Sequence, residues 1–514
     1  MEAIRRSVGW PLTIVSLVFI AYAIFGRSMP GLLVHRGYSF STTASHLLLT
    51  YAGIYGPSLK IMIRYVMIFM VFGSLLQVVG ASDVLVRFSQ AIAGRFTGGL
   101  GKVAVIASAL VGTVSGSAAG NVATTGAVTI PAMKRAGYPA HVAGAIESVA
   151  STGGQIMPPI MGAAAFLMAE YLGVPYGQVA LAATLPAIIY FLSVGMAVDL
   201  YARAHGLRGM APAQIEPLRQ VLREGWLYIL PIGVLFGLLI LGYSATFAAL
   251  VGVGLALVLL VVKRAGLRQV LAALEEAGRG AATLCIVSAG AGIVVGVMRL
   301  TGLGARLASV LVDLSAGSSL VLLVLTMVVS IILGMGMPTT VVYVLLVSLV
   351  VPALVQMGTA PISAHFFVFY FGVLAAVTPP VALASYAAAS IAGSSPDRTG
   401  WMAFKMSFPS FIVPFFFASN PVLLGQGVWH EVLRGAVTAS VGVFLLAMVV
   451  MNYMQGPLRW WARLLLVLAA LLLIDPGAAT DAAGVGMVIM VWLLQGRIRR
   501  HGIGVDGPTE LPFS

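Results

Sequence analysis

Charge-poor apolar runs recur along the chain, each close to the ~20 residues a helix needs to cross a bilayer. They lie near 9–26, 61–83, 176–200, 226–243, 245–262, 280–298, 400–424, 429–453, 460–475 and 480–496. Between them the pattern changes. Residues 83–101, "DVLVRFSQAIAGRFTGGLG", are amphipathic and carry Arg87 and Arg95, which predicts a helix lying along the interface. Residues 201–225 hold charges of both signs with Pro212 and Pro217 and read as an extramembrane connector. Residues 263–279, "KRAGLRQVLAALEEAGR", read as a second, basic surface helix. The first run is followed by Arg27 and no small-residue cleavage pattern, so it reads as a retained span and not a signal peptide. The fold class that follows is all-α and polytopic.

Two stretches depart from simple spans. Residues 103–133 and 314–396 contain no Asp, Glu, Lys or Arg, yet they hold "GTVSGSAAGNVATTG", "LGMGMPTTVVY" and "AAVTPPVALASY". Gly, Ser, Thr and Pro crowd positions where a lipid-facing helix carries Leu and Ile. The two stretches align at an offset of 221: Pro131 with Pro352, Gly137 with Gly358, and Pro158-Pro159 with Pro379-Pro380. Four landmarks in register, with Ser115-Gly116-Ser117 opposite Gly336-Met337-Pro338, mark an internal repeat.

Each unit reads as a re-entrant helical hairpin followed by a broken span. The hairpins turn at Ser115–Asn121 and at Gly334–Thr340; the spans are interrupted at Ser151–Pro159 and at Ala375–Pro380. In hydrocarbon an unpaired N–H or C=O costs several kcal/mol. Broken helix is tolerated only where protein, water or a bound ion satisfies the freed groups, and paired breaks in two halves point to a transporter binding site. The domain organisation expected is N-terminal scaffold spans and interfacial helix (1–100), first transport elements (101–200), connector and scaffold (201–280), second transport elements (281–425), extra C-terminal helices (426–498) and a disordered cytoplasmic tail (499–514).

Composition sharpens this. Of the residues 60% are hydrophobic and 9% charged, with mean hydropathy +1.02, which excludes an ordinary soluble domain. The formal charge of +13 reflects loop Lys and Arg, because no basic, aromatic-rich patch suggests nucleic acid. The single cysteine, Cys285, excludes an intramolecular disulfide and a cysteine metal cluster. No G-x-S-x-G, Walker or H-E-x-x-H motif is present, so neither an enzyme nor direct ATP drive is indicated.

The candidate chemistry lies at the turns and breaks. Ser115, Ser117, Asn121, Thr124 and Thr125 form a polar face in the first hairpin; Thr339, Thr340 and Thr378 serve the second half. Hydroxyls in membrane helices also bond back to their own backbone, whereas a buried amide such as Asn121 needs partners. Thr152, Gly153, Gly154 and Gln155 stand together before a Pro-Pro pair, and their carbonyls, the Gly-Gly pair above all, are expected at an ion. Hard neutral oxygens without a carboxylate or imidazole cluster suit neither zinc nor iron, and Na+ fits best. Glu147 and His365 read as near-surface groups, Glu147 with a proton or cation site as the alternative. Lys134 and Arg135 read as topology charges; Arg299 is the best cationic candidate for an anionic substrate, although "MRLTGLG" reads as a helix end, which favours packing or the surface for it.

"GTVSGSAAGNVATTGAVTIPAMKRAGY", "ESVASTGGQIMPPIMGAAAFLMAEYLGVPY", "LGMGMPTTVVYVLL" and "VLAAVTPPVALASYAAASIAG" resemble the large membrane subunit of tripartite ATP-independent periplasmic (TRAP) transporters, most closely the TAXI-type branch, over residues 8–425. The resemblance implies a Na+-driven importer of small organic acids in the bacterial inner membrane, fed by a periplasmic binding protein. It implies two inverted repeats forming a transport domain that moves against a scaffold in an elevator motion. By motif, Na+ sites would involve Ser115, Ser117, Asn121, Thr152 and Gly153, and Gly334, Met337, Thr339, Thr340 and Thr378. Substrate would sit between the hairpin tips, near Ser117, Asn121, Gly154, Gln155, Pro338, Thr339 and Arg299. TAXI-type members usually carry the small membrane subunit fused ahead of the large one, with more spans upstream than here. A separate small subunit, or a longer fusion, is therefore expected. No cofactor beyond the coupling ion is expected. A stand-alone Na+/dicarboxylate symporter and a non-transporting structural subunit are the competing readings.

Overall fold

The computed structural model describes residues 1–454, 456–474 and 477–500; the expected tail lies outside the described residues from 501 on, and the last helix, Ala478–Arg500, takes in its first two positions. Among the described residues the fold is helical and contains no strand. Among the described residues eight helices are long and apolar enough to cross a membrane: Trp10–Ser28, Pro57–Val79, Tyr176–Ala204, Pro212–Ile240, Ala245–Val262, Leu267–Thr301, Pro396–Ser419 and Trp429–Met451. Leu17, Val18, Ile240, Val261 and Val262 remain exposed on these helices, as faces that lipid covers must. The run at 460–475 is shorter than a span needs. Trp460–Ile474 has 15 residues, ~22 Å at 1.5 Å per residue, and it packs between Ala478–Arg500 and Trp429–Met451.

Two expected surface helices are arranged differently. Residues 263–279 do not form a separate element: Leu267–Thr301 is one helix of 35 residues, ~50 Å long, running through the expected span at 280–298. Ala273, Ala277 and Ala281 are buried at four-residue spacing, so the packed stripe continues past Gly278 and Gly280 and nothing breaks the helix. The segment 83–101 is divided between Ala81–Ala93 and the start of Gly99–Ser115. Gly98 has φ +65°, and a Cβ on Gly99 would stand 2.0 Å from the Gly94 carbonyl oxygen, so the turn needs glycine there.

The connector after Ala204 is strapped to that turn. Gly98 N–H donates to the Leu207 carbonyl (3.1 Å) and Met210 N–H to the Gly94 carbonyl (2.8 Å). Arg87 reaches across to Glu216 and Glu224, the latter at 2.7 Å. Lys102, at the start of the first hairpin, pairs with Asp199 at 2.5 Å, and Arg203 bonds the other oxygen of Asp199 at 2.7 Å. Both members of the Lys102–Asp199 pair are about one-fifth exposed. Asp199→Asn is expected to cost about 1 kcal/mol, measured as a lower thermal unfolding midpoint of the purified protein.

The repeat is visible in three dimensions. Ala140–Gly153 and Pro361–Leu374 begin and end 221 residues apart. Ala81–Ala93 has its counterpart in Leu303–Leu314, and Ala163–Leu172 in Leu383–Ala392. Gly137 and Gly358 have φ +95° and +93°, Gly173 and Gly393 +67° and +66°. The Pro158-Pro159 and Pro379-Pro380 bonds are both cis. The halves interlock: Leu383–Ala392 packs on Ala118–Arg135 and Ala140–Gly153, and Ala163–Leu172 packs on Thr339–Leu349 and Pro361–Leu374.

Candidate functional site

The two turns form where the sequence places them. In the first hairpin, Gly99–Ser115 ends at Gly116 with φ +61°, a left-handed residue that stops the helix. Ser117 is extended and its Oγ accepts from the Gly120 N–H (3.3 Å), capping Ala118–Arg135. In the second, Ser319–Gly334 gives way to Gly336 with φ +73°, and Pro338 opens Thr339–Leu349.

The breaks also fall as expected, but the backbone at the first is less bare than the sequence suggests. Gly154, Gln155, Ile156 and Met157 N–H groups donate to the carbonyls three residues back, at 3.2, 3.2, 3.1 and 3.3 Å. The Gly153 and Gly154 carbonyls therefore each accept one bond from a tight turn, leaving one lone pair apiece. Helix resumes at Ala163. In the second half Ala375–Val377 forms a 3-10 turn, Thr378 N–H donates to the Ala375 carbonyl (3.3 Å), and helix resumes at Leu383.

Each hairpin tip sits against its own break. A Cβ added to Gly112 would lie 2.4 Å from Gly154 Cα, and one added to Gly116 would lie 2.4 Å from the Met161 carbonyl oxygen. Ile160 N–H donates to the Thr113 carbonyl (3.3 Å), joining break to hairpin. In the second half a Cβ on Gly334 would lie 2.3 Å from Ala375 Cβ. Ala140–Gly153 also touches Ala375–Val377, which sets the two breaks side by side.

The expected ion and substrate residues are distributed as follows. Ser115 Oγ is buried and has no hydrogen-bond partner among the described residues. Asn121 is fully buried and its Nδ2 donates to the Ser108 carbonyl (2.8 Å); Gly154 packs against that amide. Thr152 and Thr378 are buried and bond back to the Ser148 and Leu374 carbonyls, each at 2.8 Å. Gly153 packs on Tyr190 and Gly334 on the second break. Gln155, Met337 and Thr340 are buried, Pro338 and Thr339 half-buried, and Ser117 exposed. Arg299 lies exposed near the end of Leu267–Thr301, and no hydrogen bond or ion pair joins it to either tip among the described residues.

Two groups read as near-surface are interior. His365 is buried and its Nδ1 meets the Tyr343 hydroxyl at 2.7 Å. Glu147 has no exposed surface. Its Oε1 accepts from Ser108 (2.8 Å), Ser151 (3.0 Å) and Thr125, and its Oε2 from Thr129. Counting residues from Pro139 placed Glu147 two turns from a helix start, but that helix runs inside the bundle between the hairpin and Leu383–Ala392. The hydroxyls carried a signal: Thr125 and Thr129 are four apart, and Ser151 is four after Glu147, so each pair shares a helix face.

A cavity of about 510 Å³ lies along the outer side of the first hairpin, lined by Ile92, Phe96, Ile106, Met157, Phe191 and Leu192 among others. Its apolar walls suit a hydrocarbon chain better than an organic anion. Among the described residues no group of three His, Cys, Asp or Glu is placed to hold a metal ion.

The chain matches the family described as "Tripartite ATP-independent periplasmic transporter, DctM component" over residues 1–432. It is 26% identical over 332 residues to the C4-dicarboxylate TRAP transporter large permease protein DctM of Pseudomonas aeruginosa, covering 63% of this chain and 76% of that protein. It is 24% identical over 341 residues to the sialic acid TRAP transporter large permease protein SiaM of Vibrio cholerae, covering 64% and 77%. The isethionate TRAP transporter permease protein DctMQ of Oleidesulfovibrio alaskensis is 22% identical over 327 residues, covering 62% of this chain and 50% of that protein.

Proposed function

Because the chain belongs to the DctM-component family of tripartite ATP-independent periplasmic transporters, we propose that it imports a small organic acid by Na+-driven symport. The family is one of transporter permeases and not of enzymes, and its large subunits work with a periplasmic substrate-binding protein and a small membrane subunit. The chain itself is a multi-pass membrane protein. We read the binding protein as TAXI-type and the membrane as the bacterial inner membrane.

The observation that carries the Na+ reading is the junction of hairpin tip and break. Ser115 Oγ is buried without a partner beside a break whose Gly153 and Gly154 carbonyls keep a free lone pair each. A buried hydroxyl left unsatisfied costs about 1–3 kcal/mol, which a bound cation would recover. With Asn121 and Thr152 nearby this makes a set of neutral oxygens suited to a hard monovalent ion. The second junction, with Gly334, Met337, Thr339, Thr340 and Thr378, is the companion site. The substrate carboxylate would lie between the tips, near Ser117, Gln155 and Pro338. Arg299 would join it only after a rearrangement, since among the described residues no hydrogen bond or ion pair links it to either tip.

In this reading the hairpins and broken spans, in 101–200 and 281–425, move as a body against a scaffold. The scaffold would be built on Leu267–Thr301, which packs against Trp10–Phe25 and Met67–Val79. That is an elevator motion of two inverted repeats. The interlocking of the halves supports it, because each broken span is wedged into the other repeat and the two must travel together.

The test is uptake into proteoliposomes with the cognate binding protein. Uptake should require Na+ on the binding-protein side and fail when choline replaces it. Asn121→Ala and Thr339→Ala should each raise the Na+ concentration for half-maximal uptake about tenfold, equivalent to about 1.4 kcal/mol. Undiminished uptake in choline sinks Na+ coupling. Uptake without any binding protein favours a stand-alone symporter.

A further inference from the structure

We propose that Glu147 is a proton-binding site in the seam between the first hairpin and the first broken span. The carboxyl lies at the meeting of three helices. Ser108 comes from the hairpin's first arm, Thr125 and Thr129 from its second, and Ser151 from one turn further along the helix that carries Glu147. Gly126 completes the fit, since a Cβ there would lie 3.1 Å from Glu147 Cγ.

No cation balances this group. Among the described residues Glu147 forms no ion pair, and the ionisable groups on the helices around it face elsewhere. Lys102 is spent on Asp199, Lys134 Nζ donates to the Ala392 carbonyl (2.7 Å), and Tyr190 donates to the Val149 carbonyl (2.7 Å). Tyr386 donates to the Pro380 carbonyl, and Tyr176 to the Pro159 and Ile160 carbonyls. His365 meets Tyr343. Among the described residues no hydrogen bond or ion pair joins Glu147 to His141 on the same helix, or to Arg135, Asp397, Arg398 or Lys405 on its neighbours. An isolated ionised carboxylate in such a place is penalised heavily, and the ordinary escape is to take up a proton.

The hydroxyls are arranged so that both charge states are satisfied. Thr125 Oγ1 stands within reach of Glu147 and also of the Asn121 carbonyl (2.8 Å); Thr129 Oγ1 stands within reach of Glu147 and also of the Thr125 carbonyl (3.0 Å). In the ionised form all four hydroxyls donate to the carboxylate. When one proton arrives on Oε2, that oxygen donates to Thr129 Oγ1. The Thr129 hydrogen then turns to the Thr125 carbonyl and the Thr125 hydrogen to the Asn121 carbonyl, while Ser108 and Ser151 continue to donate to Oε1. One proton is gained, no heavy atom moves, and no polar group is stranded in either state.

The fold does not require this polar cluster. At the equivalent places in the second repeat stand Leu346, Val350 and Val368, with Val328 or Val329 opposite Ser108. The same hairpin-on-span seam is therefore closed there by apolar side chains. What the first repeat adds is a carboxyl that is neutral while the seam is closed and can exchange its proton with water when the hairpin lifts. Its consequence for uptake rests on the transporter reading above; its protonation does not.

The experiment uses the full chain in lipid nanodiscs and in proteoliposomes. Infrared difference spectra across the pH range in which the protein is folded should show the C=O band of a protonated buried carboxyl, lost in Glu147→Gln. Wild-type uptake should rise as the binding-protein side is acidified. The carboxylate-to-acid ratio changes ~10-fold per pH unit, whereas Glu147→Gln, fixed in the neutral shape, should give a flat profile. A missing Glu147-dependent band overturns the proposal, as does a Glu147→Gln variant with the wild-type pH profile. Loss of a Na+ site in that variant without any carboxyl band also overturns it, in favour of a metal. A band present in a protein that takes up nothing under any condition leaves the site standing and defeats the transporter reading instead.

Discussion

Gly154→Val should reduce uptake at least ~100-fold while the protein still inserts and purifies as a single species. The reason is backbone against backbone. A Cβ on Gly154 would lie 2.8 Å from Gly112 Cα, 3.1 Å from Asn121 Nδ2 and 3.1 Å from the Ser151 carbonyl oxygen. Two of these are backbone atoms, and the third, the Asn121 amide, is held in place by its bond to the Ser108 carbonyl. The only relief is to push the hairpin arm off the break, and overpacking a tight core costs about 1–3 kcal/mol. The displaced parts are the hairpin arm and the break that carry the proposed ion donors. A loss of 3 kcal/mol at that site corresponds to roughly 150-fold in affinity. Gly195→Val is the control: it lies on the long span Tyr176–Ala204, and a Cβ there would meet nothing within 4 Å. It should transport like wild type. Equal uptake by the two variants would show that the tip and the break need not touch.

The parts of this architecture that glycine and proline write were legible in the sequence. Gly116, Gly336 and the two Pro-Pro pairs are local instructions, and each turn or interruption sits within a few residues of where they stand. The repeat was legible for the same reason, because its landmarks are breakers that keep register. What stayed hidden depends on which neighbours a helix acquires. Glu147 looks the same in a string of letters whether its helix faces water or the hairpin, and only packing puts Ser108, 39 residues away, against its carboxyl. The sequence divides the long helix Leu267–Thr301 in two because charge density falls at residue 280, yet charge density does not stop a helix; a missing hydrogen bond or a proline does. The Gly153 and Gly154 carbonyls stand out in the sequence as a bare stretch, but the tight-turn bonds that occupy one lone pair of each follow from backbone angles that the residue names do not specify.

The contrast between the two repeats gives the second large effect. Glu147→Val alone should destabilise the protein by about 1–3 kcal/mol for each hydroxyl it leaves unpaired, the cost of a buried polar group without a partner. Ser151 loses its only side-chain partner, Ser108 keeps just Thr125 (3.1 Å), and hydroxyls stay trapped in an apolar seam. Adding Ser108→Val, Thr125→Leu, Thr129→Val and Ser151→Ala copies the apolar seam of the second repeat, with alanine used in place of Gly372 to avoid a helix-interior glycine. This fivefold variant should regain most of the lost stability, because replacing an entire buried polar network by packed apolar groups is often neutral or favourable. The five changes should thus be strongly non-additive, which thermal unfolding of the single and combined variants measures directly. The recovered protein should also lack the infrared carboxyl band and any pH dependence of uptake. If it is no more stable than Glu147→Val, the polar cluster holds the seam together, and Glu147 is a structural residue of the first repeat.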